Sequence, residues 1–128
     1  MITLADYWMG RDVWFSRALT PAIRTSAEVT VQRANALLQL FGEARAVNSG
    51  WRPPEINAST PGAALKSKHM TGEAIDLADP EGDLDEWCFN NQQDLVSLDL
   101  WQEHPASTKG WCHVQTIPPK SGNRVFYP

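Results

Sequence analysis

Residues 67–77 read Ser-Lys-His-Met-Thr-Gly-Glu-Ala-Ile-Asp-Leu, and this stretch carries the most information about the chain. His69 and Asp76 lie seven positions apart, with a glycine and a short apolar run that can form a strand between them. Residues 111–115, Trp-Cys-His-Val-Gln, add His113 further along. Two imidazoles and one carboxylate can hold a divalent metal with one position left open, which is the usual layout of a catalytic zinc site. The pattern therefore predicts a small metal-dependent hydrolase.

The alternation of side chains along the two candidate strands favours this site. Successive side chains of a strand point to opposite faces, so His113 shares a face with Trp111 and Gln115, whereas Cys112 points the other way. Asp76 likewise lies on the face opposite its apolar neighbours. Each candidate ligand is thus predicted on the polar face of a strand whose other face is apolar. Cys112 is not expected to bind the same metal as His113.

Size and charge limit the classes of function. A chain of 128 residues predicts one domain spanning residues 1–128, long enough to bury its own core. A net charge of −4 argues against a nucleic-acid partner, because no basic excess is available to displace counterions from phosphates. No apolar run reaches the length of a membrane span, and the start of the chain lacks the basic and apolar regions of a signal peptide. We expect a monomer that is cytoplasmic at synthesis, with no membrane partner.

The order of elements indicates an α+β fold. Thr20-Pro21 predicts the start of a helix that ends at Gly42, and Asp83 with Glu86 predicts a capping box at a second helix. Residues 55–66 read as a loop, and the tail, residues 118–128, is expected to pack against the body. The two cysteines are expected to be reduced core thiols. Strands are predicted over residues 46–52, 74–78, 98–103 and 111–117, without the regular alternation of helices and strands that a parallel sheet requires.

Taken together, residues 67–77 and 111–115 resemble the zinc D-Ala-D-Ala peptidases of the M15 class, which includes carboxypeptidases, dipeptidases and phage endolysins. Residues 49–53, Ser-Gly-Trp-Arg-Pro, resemble the segment that precedes the metal motif in that class. Residues 7–12 and the Ile56-Asn57 pair are similar to its short phage and prophage branch. The resemblance implies a Hedgehog/DD-peptidase type of α+β fold, in which an antiparallel sheet packed against helices carries the metal site.

The resemblance also assigns roles to individual positions. It implies a Zn²⁺ cofactor, a peptidoglycan peptide as substrate, and an arginine that faces the scissile carbonyl, where a guanidinium would stabilise an oxyanion. A serine two positions before the first ligand helps to hold the substrate, and we expect the tryptophan on the face of the last ligand to contact it too. The matching residues are His69, Asp76 and His113 for the metal, Arg52 for the carbonyl, and Ser67, Arg52 and Trp111 for substrate binding.

One position departs from the class. Many members carry a glutamate, the general base, three residues before the last histidine, where this chain has Gly110. The nearest acid upstream is Glu103, at the end of the candidate strand 98–103. If that strand pairs antiparallel with residues 111–117, Glu103 projects from the same face as His113. We therefore predict that Glu103 is the catalytic base.

The expected activity is hydrolysis of a peptidoglycan stem-peptide bond involving D-amino acids, by a D-Ala-D-Ala carboxypeptidase or an endolysin-type endopeptidase. Such a protein acts on the cell wall after release, for example through a holin. An Fe(II) oxygenase is one alternative, although its histidine and carboxylate usually lie two positions apart, whereas six residues intervene here. The other alternative is a non-catalytic metal-binding module of the cell wall or of a phage particle, which the missing glutamate at position 110 leaves open.

Overall fold

Helices and strands follow one another in the irregular order expected of an α+β fold. The computed structural model describes residues 1–128. None of its helices combines the length and the apolar content required to cross a membrane. The helices are α1 (Leu4–Trp8), α2 (Arg11–Trp14), α3 (Pro21–Phe41), α4 (Pro54–Ser59), α5 (Asp83–Asn90) and α6 (Gln92–Leu98). The strands are β1 (Val47–Ser49), β2 (Ala74–Asp79), β3 (Trp101–Glu103), β4 (Gly110–Gln115) and β5 (Val125–Phe126).

The five strands form one sheet in the order β1-β2-β4-β3-β5. The first three pairings are antiparallel, but β5 runs parallel to β3. The expected antiparallel sheet is therefore a mixed sheet. The difference arises at one edge, where the tail returns along β3 in the same direction: Gln102 N–H donates to Arg124 O at 2.9 Å and His104 N–H donates to Phe126 O at 2.7 Å.

The long helix α3 begins and ends where the sequence predicts. The Thr20 hydroxyl accepts a hydrogen bond from Ile23 N–H, and Pro21 occupies the first turn, where its missing N–H costs nothing. At the other end Gly42 adopts a left-handed conformation, with φ of 90°, and its N–H donates to Leu38 O. The buried face of α3 joins the apolar core with one side of the sheet, and both cysteines lie in that region as free thiols.

The start of α5 differs from the expected capping box. Its N-cap is Gly82, which has no side chain to offer. The buried carboxylate of Asp79 instead accepts hydrogen bonds from Leu84 N–H at 3.0 Å and Asp85 N–H at 2.8 Å. The prediction of a helix at this place is confirmed, but the cap comes from the end of β2 because the turn folds that carboxylate back over the first helical residues.

Two other segments also differ from the predicted elements. Residues 55–59, expected to be part of a loop, lie in α4, because Pro54 presets the first helical turn and the Asn57 amide ties the helix to Ala64 O at 2.9 Å. The strand expected to begin at Leu98 begins at Trp101, because α6 continues to Leu98 and ends on Asp99 in a left-handed conformation. Neither difference changes the pairing of β3 with β4.

Candidate metal centre

Three neighbouring strands place Asp76, His113 and Glu103 in one row across the sheet. Asp76 pairs with His113 between β2 and β4. Gln102 pairs with Val114 between β3 and β4, so the next step along this antiparallel ladder brings Glu103 beside His113. Adjacent strands lie about 4.8 Å apart, which keeps the three side chains close. We call Asp76, His113 and Glu103 the cross-strand row.

The opposite face of the same strands belongs to the core. The sequence neighbours of Asp76 and His113 are all fully buried in the apolar cluster: Ile75, Leu77, Cys112 and Val114. His113 and the other members of the row line a cleft instead. The expected division of each strand into an apolar and a polar face is therefore present, and Cys112 points away from His113.

His69 reaches the row from the turn before β2. Residues Lys68–Thr71 form a single 3-10 turn, whose start is capped by the Ser67 hydroxyl accepting from His69 N–H at 3.2 Å. The turn ends at Gly72, with φ of 77°, where an added Cβ would lie 2.8 Å from Ile23 O. A side chain is therefore excluded there both by conformation and by space. The sequence Ser-x-His-x-x-Gly thus directs the imidazole of His69 into the site.

The three candidate ligand atoms lie within contact of one another. Asp76 Oδ1 is 3.2 Å from His69 Nε2 and 2.9 Å from His113 Nδ1, and the three atoms lie within 4.8 Å of one another. Ligands at 2.0–2.2 Å from a tetrahedral zinc ion are separated by about 3.3 Å. The spacing of these atoms therefore fits the donor set of such an ion.

The hydrogen bonds of His69 leave one nitrogen free for a metal. Its Nδ1–H donates to Gly50 O at 2.8 Å, which fixes the tautomer. The other nitrogen, Nε2, is buried and has no hydrogen-bond partner, although it lies beside Asp76. A buried nitrogen without a partner is costly, and a metal ion at this point would satisfy it. Bonding of the second ring nitrogen to a backbone carbonyl is the usual arrangement around metal-binding histidines.

Gln115 fixes the tautomer of His113 and so leaves one of its ring nitrogens free for a metal. The Gln115 amide nitrogen donates to Ile117 O at 2.8 Å, which turns its Oε1 toward His113 Nε2 at 2.9 Å. The proton of a neutral His113 ring is thereby held on Nε2, and the lone pair of Nδ1 faces Asp76. Burial opposes protonation of His113, but the hydrogen bond and charge of Asp76 outweigh it and raise its pKa. The lone pairs of His69 Nε2 and His113 Nδ1 therefore converge with the Asp76 carboxylate on one point, where a cation could bind.

Asp76 is ionised in this environment. Burial alone would raise its pKa, but the charges and hydrogen bonds of His69 and His113 outweigh that effect and hold the pKa well below its usual range. Its second oxygen, Oδ2, accepts from Arg52 Nη2 at 3.2 Å. The carboxylate is thus bound on one side by a permanent cation and offers the other side to the two imidazoles.

Arg52 is largely buried and is held in place by two side chains. Its Nε donates to Ser49 Oγ at 2.9 Å, and Nη2 donates to Asp76. Nη1 makes no hydrogen bond within the protein, although the side chain lines the cleft. The sequence placed Arg52 at the site but did not reveal its contact with Asp76 or the role of Ser49. The pairing of Ser49 with Asp76 across β1 and β2 accounts for both.

One cleft of about 580 Å³ brings together all the residues predicted to act in the site. Ser67, Glu103 and Trp111 line it together with Arg52 and the three candidate ligands. Glu103 is half-buried, and burial raises its pKa, with the charge of Asp76 acting in the same direction. Gln115 also lines this cleft and was given no role in the sequence analysis. Its position two residues after His113, on the same strand face, was the available signal.

One of three comparisons with known proteins gives a match. The family model described as peptidase M15 matches residues 15–114, which is most of the chain and includes every residue of the cross-strand row. No curated protein and no solved structure gives a significant match. The match covers more than half of the sequence and includes the group of side chains that can hold a metal. The chain therefore belongs to the peptidase M15 family.

Proposed function

We propose that the chain is a zinc metallopeptidase that hydrolyses a peptidoglycan stem-peptide bond involving D-amino acids. Family membership supports a peptidase. The observation that carries the proposal is the convergence of His69, Asp76 and His113 next to Glu103 in one cleft. Three protein ligands would hold the ion and would leave one position for water or substrate. When bound, a zinc ion supplies a Lewis acid and a water molecule of near-neutral pKa.

Glu103 is the proposed general base. It lies beside His113 in the cross-strand row, and its raised pKa brings it closer to neutrality than an ordinary glutamate. A carboxylate so placed can take the proton of the attacking water and return it to the leaving amine. In many members of the class the general base stands at the position that is Gly110 here, and we propose that Glu103 takes its role. The absence of an acid there is therefore not a reason to favour a non-catalytic module.

Arg52 is proposed to stabilise the charge that develops on the substrate carbonyl. Ser49 and Asp76 fix the plane of its guanidinium, so that Nη1 is held ready to donate without further ordering. A preorganised donor in a partly buried site strengthens its interaction with an oxyanion as that charge forms. A lysine would supply a point charge but not the fixed fork, so the geometry depends on arginine.

Ser67 and Trp111 are proposed to contact the substrate on either side of the metal. Ser67 precedes the turn that carries His69, and Trp111 lies at the start of β4 on the face of His113. Both are partly exposed and line the cleft. An aromatic surface at one end and a hydroxyl at the other suit a peptide chain laid across the metal site.

The proposal is tested with the zinc-loaded protein on muropeptides. We expect cleavage by the wild type and a loss of about 10²- to 10⁴-fold in kcat for Glu103→Gln, since this is the usual contribution of a general base. Zinc content, measured by atomic emission, should not change in that variant. Glu81→Gln is the matched control, because Glu81 is exposed and lies outside the cleft, and it should keep wild-type activity.

Three outcomes would contradict parts of this proposal. A fully active Glu103→Gln variant would remove Glu103 from the role of base. A zinc-loaded wild type that cleaves no muropeptide would favour the metal-binding module. Purified protein that carries iron and no zinc would favour the oxygenase, whose donor set is similar.

A further inference from the structure

The net charge of the side chains that line the cleft is positive, whereas the net charge of the whole chain is negative. The chain has 15 Asp and Glu residues against 11 Lys and Arg. Only two of those acids, Asp76 and Glu103, line the cleft, whereas four of the cations do so. One of the four is Arg52, which is paired with Asp76. The other three are lysines, in a chain that has only four lysines in total.

The three cleft lysines, Lys66, Lys68 and Lys120, have no partners in the protein. None of them lies within 4.0 Å of an acidic oxygen, although arginines make ion pairs at several other places. Lys66 and Lys120 are exposed and Lys68 is partly exposed. Three uncompensated ammonium groups around one concave surface repel one another and focus a positive potential into it. Such an arrangement is stabilised when an anion is bound.

The fold collects these lysines at one end of the metal site. Lys66 and Lys68 precede β2, and Lys120 follows β4. Ala74 pairs with Gln115, so the beginning of β2 and the end of β4 meet, and the two lysine-bearing loops lie at the same end of the ladder. Trp111 lies toward the opposite end, across from Ala78. The cleft is therefore cationic on one side of the candidate metal ligands and aromatic on the other.

Resting on the peptidase function proposed above, we propose that Lys66, Lys68 and Lys120 select substrates whose peptide carries free carboxylates on one side of the scissile bond. The carboxylates lie over the lysine end while the bond lies over the metal ligands. A substrate in which those carboxylates are amidated loses these contacts. Selection by such exposed pairs acts on substrate binding and weakens as salt screens the charges.

The test uses a synthetic peptide that contains L-Ala-D-Glu and D-Ala-D-Ala with free carboxylates, and the same peptide with those carboxylates converted to amides. An exposed ion pair contributes roughly 1.4- to 5-fold to binding, so the two carboxylates of this peptide predict a preference of about 2- to 25-fold in kcat/KM for the free acid. In the Lys66→Gln/Lys68→Gln/Lys120→Gln variant that ratio should fall toward one. The matched control is Lys109→Gln, since Lys109 is the exposed lysine outside the cleft, and its ratio should remain that of the wild type.

The outcomes separate this proposal from the peptidase function. If the wild type cleaves both peptides equally well, the peptidase stands and the selection by lysines is overturned. If it cleaves neither, calorimetry of the two peptides with the zinc-loaded protein still decides: tighter binding of the free acid that is lost in the triple variant supports the lysine site, and equal binding overturns it. Stronger binding of inorganic polyphosphate than of the carboxylated peptide would assign the lysines to a phosphate ligand and overturn the proposal.

Discussion

Gln115 shows how a single amide can determine the chemistry of a neighbouring imidazole. Its orientation is set by the Ile117 carbonyl, and in turn it determines which nitrogen of His113 carries the proton. The backbone carbonyl of Gly50 likewise determines which nitrogen of His69 carries the proton. The two histidines are thus presented by opposite ring nitrogens, Nε2 and Nδ1, to the same carboxylate oxygen of Asp76.

We predict that Gln115→Met weakens zinc binding by about 10- to 100-fold, which is the usual effect of losing a partner that orients a metal-binding histidine. Methionine fills a similar volume but cannot accept the hydrogen bond from Nε2–H. The dissociation constant is measured by competition with a chromophoric chelator. The tautomer of His113, measured from nitrogen-15 chemical shifts, should become mixed in the variant.

Gln115→Glu separates orientation from simple packing. A carboxylate still accepts from Nε2–H, so this variant should bind zinc more tightly than Gln115→Met and keep the wild-type tautomer of His113. Equal zinc affinity in the wild type and Gln115→Met would show that the ring is oriented by its surroundings alone.

At the scale of elements, Asp85 ties α5 to the sheet. Its side chain accepts from Gln102 Nε2 on β3 at 3.0 Å and from the Thr108 hydroxyl, and all three residues are buried. Burial raises the pKa of Asp85, although hydrogen bonds from Thr108 and Gln102 act in the opposite direction. The network therefore holds a carboxyl group whose charged form is disfavoured in the folded state.

This network predicts a pH dependence of stability. Because the folded pKa is raised, the contribution of Asp85 is fully present below its unfolded pKa of about 3.9 and is lost as the pH rises through the folded value. Urea unfolding of the wild type and of Asp85→Asn should show the wild type gaining free energy of unfolding relative to the variant as the pH falls from about 7 to about 4. A difference that does not change over this range would mean that Asp85 titrates alike in both states.

The elements also show what could be predicted from the sequence. Alternation along β2 and β4 correctly placed His113 and Asp76 opposite the core, because each strand is apolar on one face only. The caps of α3 were equally clear in local sequence. The segment that forms α4 is polar and carries no apolar period, so its helix depends on the tertiary bond from Asn57. The two residues of β5 are too few to show any period, and their parallel pairing with β3 follows from the path of the tail.

The site was predictable to the extent that its residues share a motif. Glu103 could be placed beside His113 from one assumption about strand pairing. The contact of Arg52 with Asp76 and the placement of Lys66 and Lys120 in one cleft each require positions far apart in sequence to be brought together. The first depends on the pairing of β1 with β2, and the second on the pairing of β2 with β4.

For the whole molecule, we predict that removal of zinc lowers the melting temperature. A ligand that binds only the folded state at 100 times its dissociation constant adds about 2.7 kcal/mol to the free energy of unfolding. For a chain of this size that corresponds to a shift of roughly 10 °C. Differential scanning fluorimetry with zinc and with a chelator measures the change.

His113→Ala provides the matched comparison for this prediction. With one ligand missing, the variant should melt at nearly the same temperature with zinc and with the chelator. A zinc-dependent shift as large as that of the wild type would show that the stabilising ion is bound elsewhere, for example by the cysteines.

The cross-strand row also has a consequence for the timing of synthesis. β4 lies between β2 and β3 in the sheet but follows both in the chain. Until residues 110–115 are inserted, Asp76 and Glu103 belong to strands that have no common neighbour. The long connection between β2 and β4 must close before the pairing of these two strands contributes any energy. A nascent chain from which residues 110–115 have not yet emerged therefore carries His69, Asp76 and Glu103 without the assembled candidate metal centre. The proposed activity therefore requires that β4 has been made and inserted between β2 and β3.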